Sequence, residues 1–174
     1  MGRDKSLLPY KGLPLVMYAV NTLHRLTTSV VISGSQGDFA FTGCPSWPDE
    51  LAVQAPMVGI YSCLKRSDTP WTAFLSCDMP MADYRLFEYL FGFTEGNQLV
   101  WPVHSGGIEP LCGLYNRSLL PLLEELIGRE EFSLRKMAAR VPCREVWVGP
   151  EQDFFTPQLF MNINTPEDFE LLPE

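Results

Sequence analysis

Apolar and polar positions change period several times along the chain, and each change predicts an element. Leu15, Ala19, Leu23 and Leu26 recur near a helical spacing, which predicts an amphipathic helix over residues 13–26. Ser29-Val-Val-Ile32 is a short apolar run that predicts a buried strand ending at Ser33-Gly34. After a Gly/Pro-rich stretch, residues 56–66 return to a helical pattern. Ser67-Asp-Thr-Pro70 then leads into Trp71-Thr-Ala-Phe-Leu-Ser-Cys77, a strand that runs straight into Asp78. Beyond it the pattern predicts a helix over 84–92, strands over 98–103 and 110–115, a Leu-rich packing helix over 118–128, a helix over 132–140, and strands over 144–148 and 158–163. Thr165 is placed to cap a short terminal helix, with Pro166 at its first position and Asp168 reaching back. Strands alternating with helices imply an α/β fold whose mostly parallel sheet is covered on both faces.

At 174 residues the chain reads as one domain spanning 1–174. Its start is unusual for such a fold. Met1-Gly-Arg-Asp-Lys5 runs directly into the first helix, with neither a strand nor a glycine-rich turn before it. In a doubly wound sheet the first strand lies in the middle, so its loss opens the hydrophobic centre rather than trimming an edge. A start upstream of Met1, a piece of a longer chain, or a sheet rebuilt with another strand or partner would each account for this.

Charge and cysteine usage narrow the function classes. Thirteen Lys and Arg against twenty-one Asp and Glu give a net charge of -8. No basic cluster tracks a helix or loop, which disfavours a nucleic-acid backbone or an anionic membrane as partner. Free nucleotides stay open, because a few N–H groups, one Lys and a metal can hold phosphate on an acidic protein. The cysteines at 44, 63, 77, 112 and 143 form no CxxC pair, and their odd count suits a reducing cytosol. The two isolated His do not suggest a structural zinc site. No basic segment leads into an apolar one at the start, and no apolar run reaches about 18 residues, so the expected location is the cytoplasm.

Asp78 is the strongest candidate for chemistry. It follows an apolar strand at the edge where open α/β sheets meet ligands, and a carboxylate there suits Mg²⁺ that also touches nucleotide phosphates. The competing reading is a cap for the next helix, a task for which Asp83 is better placed. Lys5 could neutralise phosphate charge or be an ordinary solvated lysine. Asp49, in Trp47-Pro-Asp49, could accept from a base or hold a turn. Pro56-Met-Val-Gly59 enters a helix whose free N–H groups could meet an anion, although turn chemistry explains it equally. Ser105-Gly-Gly107 reads as a hairpin-like loop, with Glu109-Pro110 opening the next strand. In Asn162-Ile-Asn164 the two amides fall on one face of a strand by the two-residue period, where paired amides can read a polar heterocycle if they face a cleft. Cys77, in an apolar strand with no His nearby in sequence, is expected to be core.

Taken together, Met1-Gly-Arg-Asp-Lys5, Pro48-Asp49, Pro56-Met-Val-Gly59, Ser76-Cys-Asp78-Met-Pro80, Glu109-Pro-Leu111 with Tyr115, and Asn162-Ile-Asn-Thr-Pro-Glu167 resemble the nucleotidyltransferase family of the molybdenum cofactor guanylyltransferase. They occur in that order over nearly the whole chain. The resemblance implies a three-layer Rossmann-like nucleotidyltransferase fold of glycosyltransferase-A-like type, with a mostly parallel mixed sheet. It also implies Mg²⁺-dependent transfer of GMP from GTP to molybdenum-bound molybdopterin, with release of pyrophosphate. Lys5 would match the lysine that contacts the nucleotide, and Asp78 the aspartate that coordinates Mg²⁺. Asp49 would match the aspartate on the guanine-ribose side, and Asn162 and Asn164 the paired asparagines on the pterin side. Ser33 falls where the guanylyltransferase tends to have an Asn near the base. The family's strand and Leu-Ala-Gly-Gly loop, which precede its Arg-Met-Gly-x-Asp-Lys, have no counterpart before Met1, so the domain is expected to be incomplete at the N-terminus. CTP as donor, another small acceptor, or a non-catalytic scaffold among molybdenum cofactor maturation proteins are the alternatives.

Overall fold

The computed structural model describes residues 5–34, 38–163 and 168. Pro9–Tyr10 (β1) and Leu13–Pro14 (β2) form a small antiparallel hairpin. Its turn residues Lys11 and Gly12 both have positive φ, 44° and 82°, the twist that a two-residue hairpin loop requires. The hairpin feeds helix α1, Leu15–His24. Leu13 and Pro14 are thus paired in β2, and the helix expected over 13–26 is shorter at both ends.

Only Ile32–Ser33 (β3) of the predicted 29–32 strand joins a ladder, in parallel with Ser46–Trp47 (β4). Helix α2, Pro56–Arg66, starts with proline at its first turn, where a missing N–H costs nothing. Strand β5, Trp71–Leu75, follows, and then α3, Tyr84–Phe91. Asp83 caps α3 as expected: Arg85 N–H donates to its Oδ1 at 2.9 Å. The later elements are β6 (Leu99–His104), β7 (Gly107–Ile108), β8 (Cys112–Asn116), α4 (Leu120–Gly128), α5 (Leu134–Ala138) and β9 (Cys143–Trp147). Their ladder order is β5-β8-β6-β7, with β9 also on β6. Strand β8 is antiparallel to both β5 and β6, while β9 is parallel to β6, so the sheet is mixed.

Alternation along these strands divides two apolar layers. Val100, Leu114 and Val146 face Leu86, Phe87 and Leu90 of α3, with Leu23 of α1 beside them. Leu99, Trp101 and Tyr115 face Met57, Ile60 and Leu64 of α2, together with Leu123 and Leu126 of α4 and Met137 of α5. The result is the expected helix–sheet–helix sandwich.

The strands fall into separate ladders. Among the described residues no ladder joins β3 to β5, and the two strands flank a cleft of about 1650 Å³. Val16, Val20 and Leu23 of α1 form one wall, and Ile60 and Cys63 of α2 line the other. All five residues of β5 are only half-buried, although its β8 side is fully laddered.

One predicted strand is absent. Residues 158–163 contain turns, closed by Leu159 N–H to Thr156 O at 3.0 Å and Met161 N–H to Gln158 O at 2.9 Å. The apolar residues explain why. Leu159 and Phe160 pack into the α3-side core, whereas Ile163 packs with Tyr10 and Leu15, and one straight strand cannot serve both. The same-face argument for Asn162 and Asn164 therefore lapses. Asn164 and the predicted cap at Thr165-Pro-Glu167 lie outside the described residues. No helix among the described residues is long and apolar enough to cross a membrane.

Candidate active site

One side of the cleft's upper end is assembled from three separate segments. Ser33, the last residue of β3, precedes Gly34, whose φ of +71° turns the chain away. Asp49 follows β4, and Gly59 lies in the first turns of α2. Ser33 Oγ is 3.5 Å from Asp49 Oδ1 and 3.4 Å from the Gly59 carbonyl. A Cβ on Gly59 would stand 3.3 Å from Ser33 Oγ and 3.5 Å from Asp49 Oδ1, so the helix approaches this closely because Gly59 has no side chain. Burial pushes the Asp49 carboxyl up, against opposing pulls from the Ser33 hydroxyl and Arg66. Burial likewise raises the neighbouring Cys63 thiol, which keeps it protonated.

A clamp holds Asp49 in place. Glu50 N–H donates to Ser62 Oγ at 2.8 Å, and that hydroxyl donates to Val58 O at 2.7 Å. The Glu50 carboxylate pairs with Lys65 at 3.2 Å and Arg66 at 2.9 Å, both from the last turn of α2. Sequence reasoning missed Glu50 and Ser62; the acidic residue directly after Asp49 and the basic pair Lys65-Arg66 were the available signals.

Asp78 follows β5, one residue past Cys77. Ser76 N–H still donates to Leu111 O at 2.8 Å, which carries the β5–β8 pairing one residue past β5. Met79 N–H then closes a turn on Ser76 O at 3.3 Å and buries the Met79 side chain. The Asp78 side chain is left at the open end of the strand. Its Oδ1 is buried and has no hydrogen-bond partner, while its backbone carbonyl accepts from Ile163 N–H at 2.8 Å. A buried carboxylate oxygen without a donor is costly unless something else meets it, and a cation suits it. Among the described residues no group of three acidic, His or Cys side chains could hold a metal alone. Mg²⁺ typically takes one or two carboxylates plus phosphates and water, so a lone Asp78 fits that ion when a phosphorylated substrate supplies other ligands.

Ile163 brings Asn162 beside Asp78, with the Asn162 amide directed at Phe160 O at 3.4 Å. Lys5 begins a short 3-10 turn over Lys5–Leu7, tied by Leu8 N–H to Lys5 O at 3.1 Å. Ser33 and Asp49 line the cleft. Lys5 lies one residue before Ser6, and Asp78 one residue after Cys77, both of which also line it. The structure thus brings the Ser33 and Asp49 side chains together and sets the backbones of Asp78 and Asn162 near each other, while Lys5, Asp78 and Asn162 do not themselves line the cleft. Cys77 is half-buried rather than core: it packs against the cluster of Val16, Val20 and Val30 and also lines the cleft.

A second missed group lies at the tip of the β6–β7 hairpin. The Ser105-Gly106 loop is a tight hairpin tip between β6 and β7, with His104 opposite Gly107. Gly106 N–H donates to His104 Nδ1 at 3.2 Å, which assigns the ring proton to Nε2 and points it at Glu109 Oε1, 3.2 Å away. The imidazole stacks on Phe160, with centroids 4.4 Å apart and planes 19° apart. The spacing of His104 and Glu109 about a Gly-Gly loop was the signal.

Residues 1–145 match the profile of the MobA-like NTP transferase domain. The molybdenum cofactor guanylyltransferase of Vibrio atlanticus is 29% identical over 174 residues, covering 96% of this chain and 85% of its own. The crystal structure of molybdopterin-guanine dinucleotide biosynthesis protein A from Archaeoglobus fulgidus superposes with a TM-score of 0.82 at 21% identity, over 98% of this chain and 89% of that one. The 2-C-methyl-D-erythritol 4-phosphate cytidylyltransferase of Thermus thermophilus superposes at 0.72 with 12% identity, over 96% and 91% of the two chains. The two structural likenesses establish the α/β nucleotidyltransferase fold.

Proposed function

From the premise that this chain belongs to the MobA-like NTP transferase family, we propose that it transfers GMP from GTP to the terminal phosphate of molybdenum-bound molybdopterin and releases pyrophosphate. The observation that carries this reading is the buried, unpartnered Oδ1 of Asp78, at the open end of β5 and beside Asn162. In the transfer an acceptor phosphate oxygen bonds to the α-phosphorus of GTP as the bond to the β-phosphate bridging oxygen breaks. The acceptor phosphate is already anionic near neutral pH, so no side chain has to remove a proton.

Asp78 would hold Mg²⁺, and Lys5 would offset charge on the triphosphate and leaving group. When bound, the ion would supply charge neutralisation at the phosphates. Ser33 and Asp49 would meet the base and ribose, held in place by the Glu50–Ser62 clamp. Asn162, with Asn164, would meet the pterin. Asp49 is braced before substrate arrives, and such positioning lowers a bimolecular barrier.

Pyrophosphate release with molybdopterin, Mg²⁺ and each nucleoside triphosphate in turn tests this reading. GTP-dependent release that requires the acceptor is the expected result. Preference for CTP would overturn the base assignment, and silence with every nucleotide would overturn the reaction. The cleft between β3 and β5 favours one second reading, a domain that binds in cofactor maturation without catalysis. That reading predicts no measurable GTP binding. The enzyme reading implies a protein at work in the cytoplasm, where its nucleotide donor is abundant.

A further inference from the structure

We infer that His104 is a positioning residue for the acceptor edge, acting on Asn162 through its stack on Phe160. The inference deepens the reading above and rests on it for the identity of the acceptor.

Phe160 and Ile163 bracket Asn162 and are fixed at separate points. Ile163 is held by its N–H bond to the Asp78 carbonyl at 2.8 Å. Phe160 is held by the His104 ring at 4.4 Å. The Asn162 amide leans on the Phe160 carbonyl at 3.4 Å, so the placement of Phe160 sets where that amide is presented. The backbone over residues 161–163 joins no ladder, and the stack supplies rigidity that a sheet would otherwise provide.

His104 is itself oriented before any ligand arrives. Gly106 N–H fixes Nδ1 and Glu109 fixes Nε2, so the ring can neither flip nor tilt without losing a bond. The hairpin tip fits closely: a Cβ on Gly106 would lie 2.7 Å from His104 Cε1. The same hairpin leads into β8, whose preceding residue Leu111 accepts from Ser76 N–H just before Asp78. His104 thus connects the strand-end turn that carries Asp78 with the segment that carries Asn162.

The test combines hydrogen exchange with kinetics on His104→Ala, His104→Phe and Gly106→Ala. In His104→Ala, amide exchange over residues 160–163 should rise at least about tenfold while the amides of β5 and β8 keep their protection. The Michaelis constant for the acceptor should rise about tenfold while that for the nucleotide stays within about twofold. His104→Phe keeps a stacking ring and should restore both. Gly106→Ala, which displaces the His104 ring without changing the identity of any side chain of the site, should reproduce the alanine phenotype. Unchanged exchange over 160–163 overturns the inference, as does faster exchange with an unchanged acceptor constant. If the unaltered protein transfers no nucleotide, the proposed reaction fails, and the exchange result decides the positioning role by itself.

Discussion

Replacing Asp78 by Asn should leave the protein about as stable and make it less active. The substitution keeps the shape of the side chain and leaves the backbone carbonyl bond from Ile163 intact. What it removes is a charge shared by a buried oxygen that has no donor. A buried polar atom without a partner costs about 1–3 kcal/mol, and the amide keeps such an atom in the same place. The side chain sits at the end of a strand and is only half-buried, so that cost stays at its low end in parent and variant alike. Asp78→Asn should therefore change stability by less than about 1 kcal/mol, or less than roughly 2–4 °C in melting temperature for a domain of this size. Turnover should fall at least about 10²-fold, close to 3 kcal/mol in the transition state, if the carboxylate holds the ion as proposed. Thermal unfolding and Mg²⁺-dependent pyrophosphate release measured on the same preparation check both halves. A variant that is less stable yet fully active would show that the carboxylate serves the fold, and would remove Asp78 from the mechanism.

Three more outcomes follow from other parts of the molecule. Asp83→Ala removes the α3 cap and the 2.8 Å pair with Arg85, which holds the Asp83 carboxyl below its ordinary range; it should cost about 1 kcal/mol near neutral pH. That contribution is present above the unfolded aspartate value of about 3.9 and is lost as pH falls through the depressed folded value, so mutant and parent melting temperatures should converge in acid and stay apart at pH 7. Gly59→Ala gains about 1 kcal/mol of helix preference but crowds Ser33 and Asp49, so stability should change little while the nucleotide Michaelis constant rises; an unchanged constant would place the nucleotide elsewhere. An apolar peptide about five residues long should bind the cleft by pairing with β5 and raise the melting temperature with concentration, which a shuffled polar peptide should not do.

The legible parts of the fold were those encoded by continuous local pattern. The run Trp71–Cys77 leads directly into Asp78, so both the strand and the candidacy of Asp78 could be read directly. Asp83 was legible as a cap because a short polar side chain precedes a helical pattern. The meeting of Ser33 and Asp49 was not, since it depends on the two-residue β3–β4 ladder across a Gly/Pro-rich stretch with no strong period. Residues 158–163 misled because Leu159, Phe160, Met161 and Ile163 look like a strand by composition, whereas their side chains enter two different clusters. The His104 group was hidden for a related reason: its partner Phe160 is distant in sequence, and only the turn brings the rings together.

The two sides of the candidate site are braced internally but not to each other by any strand ladder among the described residues. Glu50 and Ser62 fix Asp49 to α2, while Ser76 and Ile163 fix Asp78 to β8 and the C-terminal segment. Across the cleft the link runs through helix packing. Val16 and Val20 of α1 join the β3 cluster, and Ile60 and Leu64 of α2 join the main sheet. Helices packed over an unladdered gap shift more easily than neighbouring strands, so the spacing between Asp49 and Asp78 is the softest dimension of the site. A nucleotide that touches both sides ties them together and should stabilise the fold in proportion to ln(1 + [L]/Kd), about 2.7 kcal/mol at a hundredfold excess over Kd. GTP with Mg²⁺ should therefore raise the melting temperature of the unaltered protein, and should do so far less in Asp78→Asn, where one side of the tie has lost its charge. Equal stabilisation of both proteins would mean that the nucleotide rests on the Asp49 side alone.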